Sequence, residues 1–164
     1  MINKQQFSHY LPKDFDQFDC VKISPLFYLI LLFVLRGYIV WLMSITNFKD
    51  RVGVIEWVYP DPLLFYTSLL SGAIGVIVLL VMSLRRPDAA NWVKVCWRHI
   101  RTLLTIALCF DWLITVGAYF SDIIYQLSLV FIHGVIVMIA VVVLYSSQRI
   151  NINVNEFPEK LPEK

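Results

Sequence analysis

The sequence predicts an all-α integral membrane protein with four transmembrane helices and both termini in the cytoplasm. Three observations lead there. The 164 residues are 59% hydrophobic and only 16% charged, with a mean hydropathy of +0.68, whereas soluble domains are about 45–50% apolar and about 25% charged. The apolar residues fall into four continuous runs, each long enough to cross a bilayer. The basic residues gather in the segments at one end of those runs. A soluble fold of this length buries too small a share of its surface to hide so much apolar side chain, and lipid as solvent removes that difficulty. Continuous runs, in place of alternating ones, argue against a β-barrel.

The chain divides into an N-terminal segment 1–25, a membrane domain 26–146 and a polar tail 147–164. The first segment is mixed in charge (Lys4, Lys13, Asp14, Asp16, Asp19, Lys22) and no cleavable signal peptide is expected in it. The apolar run that follows is too long for a signal core and is expected to remain as the first span. The spans are predicted at 26–46, 63–84, 102–121 and 124–145. Each holds 20 to 22 residues, which at helical rise is roughly 30–33 Å, the thickness of the hydrocarbon core.

Orientation follows from the basic residues. Arg85, Arg86, Lys94, Arg98 and Arg101 crowd the short segment between the second and third spans. The segment 47–62 has Lys49 and Arg51 against Asp50, Glu56 and Asp61, and the turn after the third span has no basic residue. Positive charge marks the cytoplasmic side, so 85–101 and both termini are expected there. Trp57, Tyr59, Tyr119 and Tyr125 then fall at the outer interface, and Tyr28, Trp92, Trp97 and Tyr145 at the inner one. Within 88–101, Asp88 is a candidate helix cap. Trp92, Val93, Cys96, Trp97 and Ile100 would share an apolar side opposite Asn91, Lys94, Arg98 and Arg101. This pattern predicts an interfacial amphipathic helix against anionic lipid. Tyr59-Pro60-Asp61-Pro62 reads as a stiff stop before the second span. The tail, with Pro158 and Pro162 among charged residues, reads as disordered.

Two charges interrupt the apolar runs. Arg36 lies at the centre of the first and Asp111 near the centre of the third. Each costs about 2.5–3.5 kcal/mol at a helix centre on insertion scales, so the two are expected to face the bundle interior and pair. His133, central in the fourth span, shares a helix face with Gln126, Val130, Val137 and Ala140 and would complete a polar layer. That layer is a structural pair, part of a transport path, or a site for a partner subunit's intramembrane charge. In the second span, Ser68-x-x-x-Gly72 and Ser71-x-x-x-Gly75 bring small residues to one face, which suits close helix packing, within the chain or between two copies. Cys20, Cys96 and Cys109 form no C-x-x-C pair, so a thiol–disulfide relay is not expected.

The order of these features resembles the YfeZ-like family, small inner-membrane proteins of gammaproteobacteria that carry a domain of unknown function. The resemblance rests on the polar start, the entry Val21-Lys22-Ile23-Ser24-Pro25 and Arg36 in the first span. It continues through Tyr59-Pro60-Asp61 with Phe65 after it, the exit Arg85-Arg86, and Asp111 in the third span. It runs from about residue 10 to about 120. Cys20 stands where the family often has Gly, and the long tail is unlike it. The resemblance implies a multi-span helical fold in the bacterial inner membrane and brings no activity with it.

No Gly-rich phosphate loop, H-E-x-x-H pattern or Ser/His/Asp constellation occurs, so neither enzyme nor cofactor is expected, and a net charge of +2 does not suggest nucleic acid. The expected partners are the lipid bilayer and either a membrane protein or a second copy of the chain. The leading expectation is a non-catalytic bundle that scaffolds or modulates a membrane partner. The alternative is a small oligomeric transporter or proton-coupled carrier using Arg36, Asp111 and His133.

Overall fold

In the computed structural model the described residues are 14–16, 18, 20–48, 50–59, 61–124 and 127–158. Pro60, Tyr125 and Gln126 lie outside them, as do the residues before 14 and after 158. The described chain forms helices α1 (Pro25–Val34), α2 (Arg36–Thr46), α3 (Arg51–Val58), α4 (Pro62–Ser83), α5 (Asn91–Arg98), α6 (Ile100–Phe120), α7 (Leu127–Ser146) and α8 (Gln148–Asn155). Three of them, α4, α6 and α7, are long and apolar enough to cross a membrane, and α1 with α2 makes a fourth if the bent pair is one span.

The first predicted span is not one straight helix. It bends by 68° between α1 and α2, with Leu35 at φ −83° and ψ 3°. No proline lies at the break. Two local causes are visible there. The Arg36 side chain turns back to donate from Nη1 to the Phe33 carbonyl at 3.4 Å, competing with the helical ladder. Gly37 lets the elbow press against α4: a Cβ at that position would lie 2.6 Å from Ser68 Oγ and 3.2 Å from the Ser68 carbonyl carbon and oxygen.

Ser68, Ser71, Gly72 and Gly75 are all buried along α4, and they receive this elbow. A Cβ on Gly72 would sit 3.2 Å from the Val34 carbonyl oxygen and 3.0 Å from the Tyr38 ring, and one on Gly75 2.9 Å from a Val34 methyl. The small-residue stripe, open at the sequence level to packing within or between chains, is used within this one.

Below the elbow, α6 contacts α1, α4, α5 and α7 and supplies the centre of the core. Ile30 and Val34 of α1, Val78 and Val81 of α4, Leu104 and Leu108 of α6, and Val137 and Leu144 of α7 pack in one cluster. A smaller cluster of Val40, Tyr59 and Phe65 lies on the other side of the elbow. Segment 47–62 contains a helix that the reading of a proline stop did not include. Asp50 starts α3 by accepting from the Gly53 N–H, and Asp61 starts α4 by accepting from Leu63, the ordinary N-cap use of a short carboxylate.

Three expectations for the basic end are corrected, together with that for Tyr59 at the other end. Helix α5 begins at Asn91 with Ala90 at its N-cap, not at Asp88. Its apolar side does not lie open to lipid, because Val93, Trp97 and Ile100 are buried in the core cluster and α5 packs against α4, α6 and α8. Only Trp92 and Val95 remain exposed. Tyr59 and Trp97 also turn inward and do not serve as interfacial anchors.

The third correction is the tail, which through residue 158 is folded and not disordered. Ser147 caps α8, and Ile150 and Asn153 are buried. Asn153 joins the two ends of the described chain. Its Oδ1 accepts from the Ser24 N–H at 3.0 Å, and its Nδ2 donates to the Val21 carbonyl at 2.8 Å. Glu156 accepts from the Val21 N–H at 2.9 Å. Trp97 Nε1 donates to the Asn153 carbonyl at 3.1 Å, and Arg85 donates to the Glu156 carbonyl at 3.1 Å while lying 4.6 Å over the Trp97 ring. Burial lowers the Arg85 pKa below the ordinary arginine value, against the charges of Cys20 and Glu156, which raise it.

Because a buried backbone group left unpaired costs about 1–3 kcal/mol, Asn153→Leu should release this latch. Hydrogen exchange should speed up at Val21, Ser24 and α8, while α4 and α6 keep their protection. Uniform loss of protection across the bundle would show that the latch is not a separate unit.

Candidate functional site

At the elbow, just beyond the apolar core, the structure brings Arg36, Asp111 and His133 together. Arg36 enters from the first turn of α2, Asp111 from mid-α6 and His133 from the first half of α7. The guanidinium meets the carboxylate through two parallel bonds, Nη1 to Oδ2 at 2.8 Å and Nη2 to Oδ1 at 2.9 Å, the bidentate geometry that makes such pairs both strong and directional. His133 Nε2 lies 2.9 Å from Asp111 Oδ2. A carboxylate paired to arginine only accepts, so this nitrogen carries the hydrogen. Ser71 on α4 completes the set, its hydroxyl 3.2 Å from Asp111 Oδ1 and 3.0 Å from the Ser68 carbonyl. Four helices therefore converge on one carboxylate.

The pair is unevenly covered. The Asp111 side chain is 7% exposed and that of Arg36 30%. Phe33 closes one side, with the guanidinium 4.8 Å from its ring centroid and the His133 ring centroid 5.6 Å away. On the side away from the apolar core, a cavity of about 110 Å³ is lined by Arg36, Asp111, Tyr59, Ser68, Thr115 and Ile124. Tyr59 and Ser68 share a hydrogen bond at 2.8 Å in its wall, and Thr115 donates to the Asp111 backbone carbonyl at 3.1 Å.

The residues that depth along the spans singled out are thus in contact. Of the face named on the fourth span, Val130 and Val137 are buried beside His133, and Gln126 is outside the described residues. Ser71 as a carboxylate donor, Phe33 as the shared aromatic wall, and the Tyr59–Ser68 pair were not read from the sequence. Ser71 had a signal, since it sits mid-span at the depth of Asp111, but its serine-glycine spacing pointed to packing. Among the described residues no three His, Cys, Asp or Glu side chains gather where a metal ion would sit.

The family model described as "Protein of unknown function (DUF2919)" matches residues 10–156. The chain belongs to that family. The match takes in α8 and Glu156 as well as the polar layer. No curated protein and no solved structure matches the chain.

Proposed function

We propose that this chain is a non-catalytic four-span protein of the bacterial inner membrane, a helical bundle that scaffolds or modulates a membrane partner. In this reading Arg36, Asp111 and His133 fix its helix order. One observation carries the structural role: the Asp111 carboxylate is taken up by two Arg36 donors, His133 and Ser71. A carboxylate so occupied has little acceptor capacity left for a substrate, and its charge is neutralised where lipid makes an unpaired one unfavourable.

Four crossings are supported by the latch. The segment before α1 and the segment after α7 bond to each other through Ser24 and Asn153, and chain ends that meet on one side require an even number of crossings. If α4, α6 and α7 each cross once, this favours the bent α1–α2 pair as the fourth span. The five Lys and Arg of 85–101 lie at the latch end, and the positive-inside rule supports a cytoplasmic reading of that end. The gammaproteobacterial inner membrane follows from the resemblance to YfeZ-like proteins. The partner role draws on α7, whose apolar surface is the least covered of the three long helices.

The cavity beside Arg36 favours a second reading, a proton-coupled carrier, since about 110 Å³ holds a few waters at roughly 30 Å³ each. Purified protein in liposomes loaded with a pH-sensitive dye separates the two. The bundle reading predicts no proton flux above protein-free vesicles under a pH gradient. Flux that disappears in Asp111→Asn protein would overturn it in favour of the carrier.

A further inference from the structure

At the latch end, a pocket of about 470 Å³ opens between α5 and the chain that follows α8. Lys94 and Arg98 line it from one side of α5, one helical turn apart, facing Asn155, Val154 and Phe157, with Trp97 also in its wall. Its wall is fixed rather than incidental: Trp97 is 2% exposed and its indole nitrogen is bonded to both the Asn153 and the Glu156 carbonyls.

The two cations have no carboxylate partner among the described residues. Glu156 is close by in the chain, but its carboxylate is turned to the Val21 N–H. Among the described residues Lys94 lies over the Phe157 ring, 5.8 Å from its centroid, and Arg98 is exposed. Two cations without a carboxylate partner among the described residues, an amide and an apolar wall in a space within the usual ligand-pocket range of about 300–1,000 Å³ suit an anion that carries carbon. Trp92 and Val95 are bare on a neighbouring side of the same helix, as expected of a helix at headgroup depth.

We propose that this pocket binds a phosphate-bearing organic anion, held by Lys94 and Arg98 with its carbon part against Phe157 and Val154. The chemistry is shared by two sources, the headgroup of an anionic phospholipid and a soluble phosphate ester. The site is separate from the Arg36–Asp111 layer and does not depend on what that layer does.

Native mass spectrometry of the full chain in detergent, with phosphatidylglycerol or phosphatidylcholine added, tests the lipid source. Melting with and without glycerol 3-phosphate tests the soluble one. The comparison protein carries Lys94→Gln and Arg98→Gln. Both side chains are exposed, so it is expected to melt as the parent does; if it does not fold, the two single variants carry the test. At about 1 kcal/mol for each basic residue near a lipid surface, the parent should retain phosphatidylglycerol about tenfold or more over phosphatidylcholine. The double variant should lose that preference, and Arg86→Gln, outside the pocket, should keep it. A melting shift with glycerol 3-phosphate that needs Lys94 and Arg98, without lipid preference, assigns the pocket to soluble esters. Absence of both effects, or their persistence in the variant, overturns the proposal.

Discussion

Replacing Asp111 by asparagine lowers the stability of the bundle by about 3–5 kcal/mol, the usual loss when one partner of a buried ion pair is removed. The substitution nearly preserves shape, so the loss is electrostatic. Arg36 keeps its charge, and its guanidinium then faces an amide whose nitrogen is itself a donor. His133 and Ser71 compete for the single oxygen that remains. Arg36→Met should cost less, because Asp111 still accepts from His133 and Ser71. His133→Phe should cost least, about 1 kcal/mol, since it removes one hydrogen bond and leaves the bidentate pair intact. Thermal unfolding of the three variants in one detergent checks the order Asp111, Arg36, His133. Equal effects would mean that the layer is not organised around the carboxylate.

Gly72→Val is the second large effect, expected at about 2–3 kcal/mol from overpacking. The new Cβ alone would lie 3.2 Å from the Val34 carbonyl oxygen and 3.0 Å from two Tyr38 ring carbons. The ring has room to move, but the backbone carbonyl sits at the elbow and moves only with the helix. The clash therefore pushes α1–α2 away from α4 and pulls Arg36 off Asp111. Gly117→Ala is the matched control, because nothing lies within 4 Å of a Cβ at that position, and its melting should stay at or slightly above that of the parent. If Gly72→Val melted with the control, the elbow would not be seated on α4 as described.

The long helices were legible because hydrophobic length is a one-dimensional property. Asp61 and the Pro62 it precedes mark the start of α4, and Ile100–Phe120 and Leu127–Ser146 differ from the predicted third and fourth spans by a few residues at their ends. Arg36, Asp111 and His133 could be grouped for a related reason: in antiparallel helices of fixed rise, sequence position gives depth. What was hidden depends on contacts. The 68° bend has no proline to announce it, and its causes, Gly37 against Ser68 and Arg36 against the Phe33 carbonyl, exist only once α4 is in place. Helix α8 looked too polar to fold, yet Asn153 is buried because the open backbone at Val21 and Ser24 supplies the partners for its amide. Trp97 read as an interfacial anchor for the same reason, since its two carbonyl acceptors come from that unseen helix.

In the proposed reading, Arg36 and Asp111 hold the bundle together as a pair. A double-mutant cycle on unfolding, with Arg36→Met, Asp111→Leu and both together, measures that coupling directly. The double variant should be markedly more stable than the sum of the single losses requires, with a coupling of about 2–3 kcal/mol, because replacing both charges removes the uncompensated one that each single change leaves behind. Losses that simply add, to within about 0.5 kcal/mol, would contradict the structural pair.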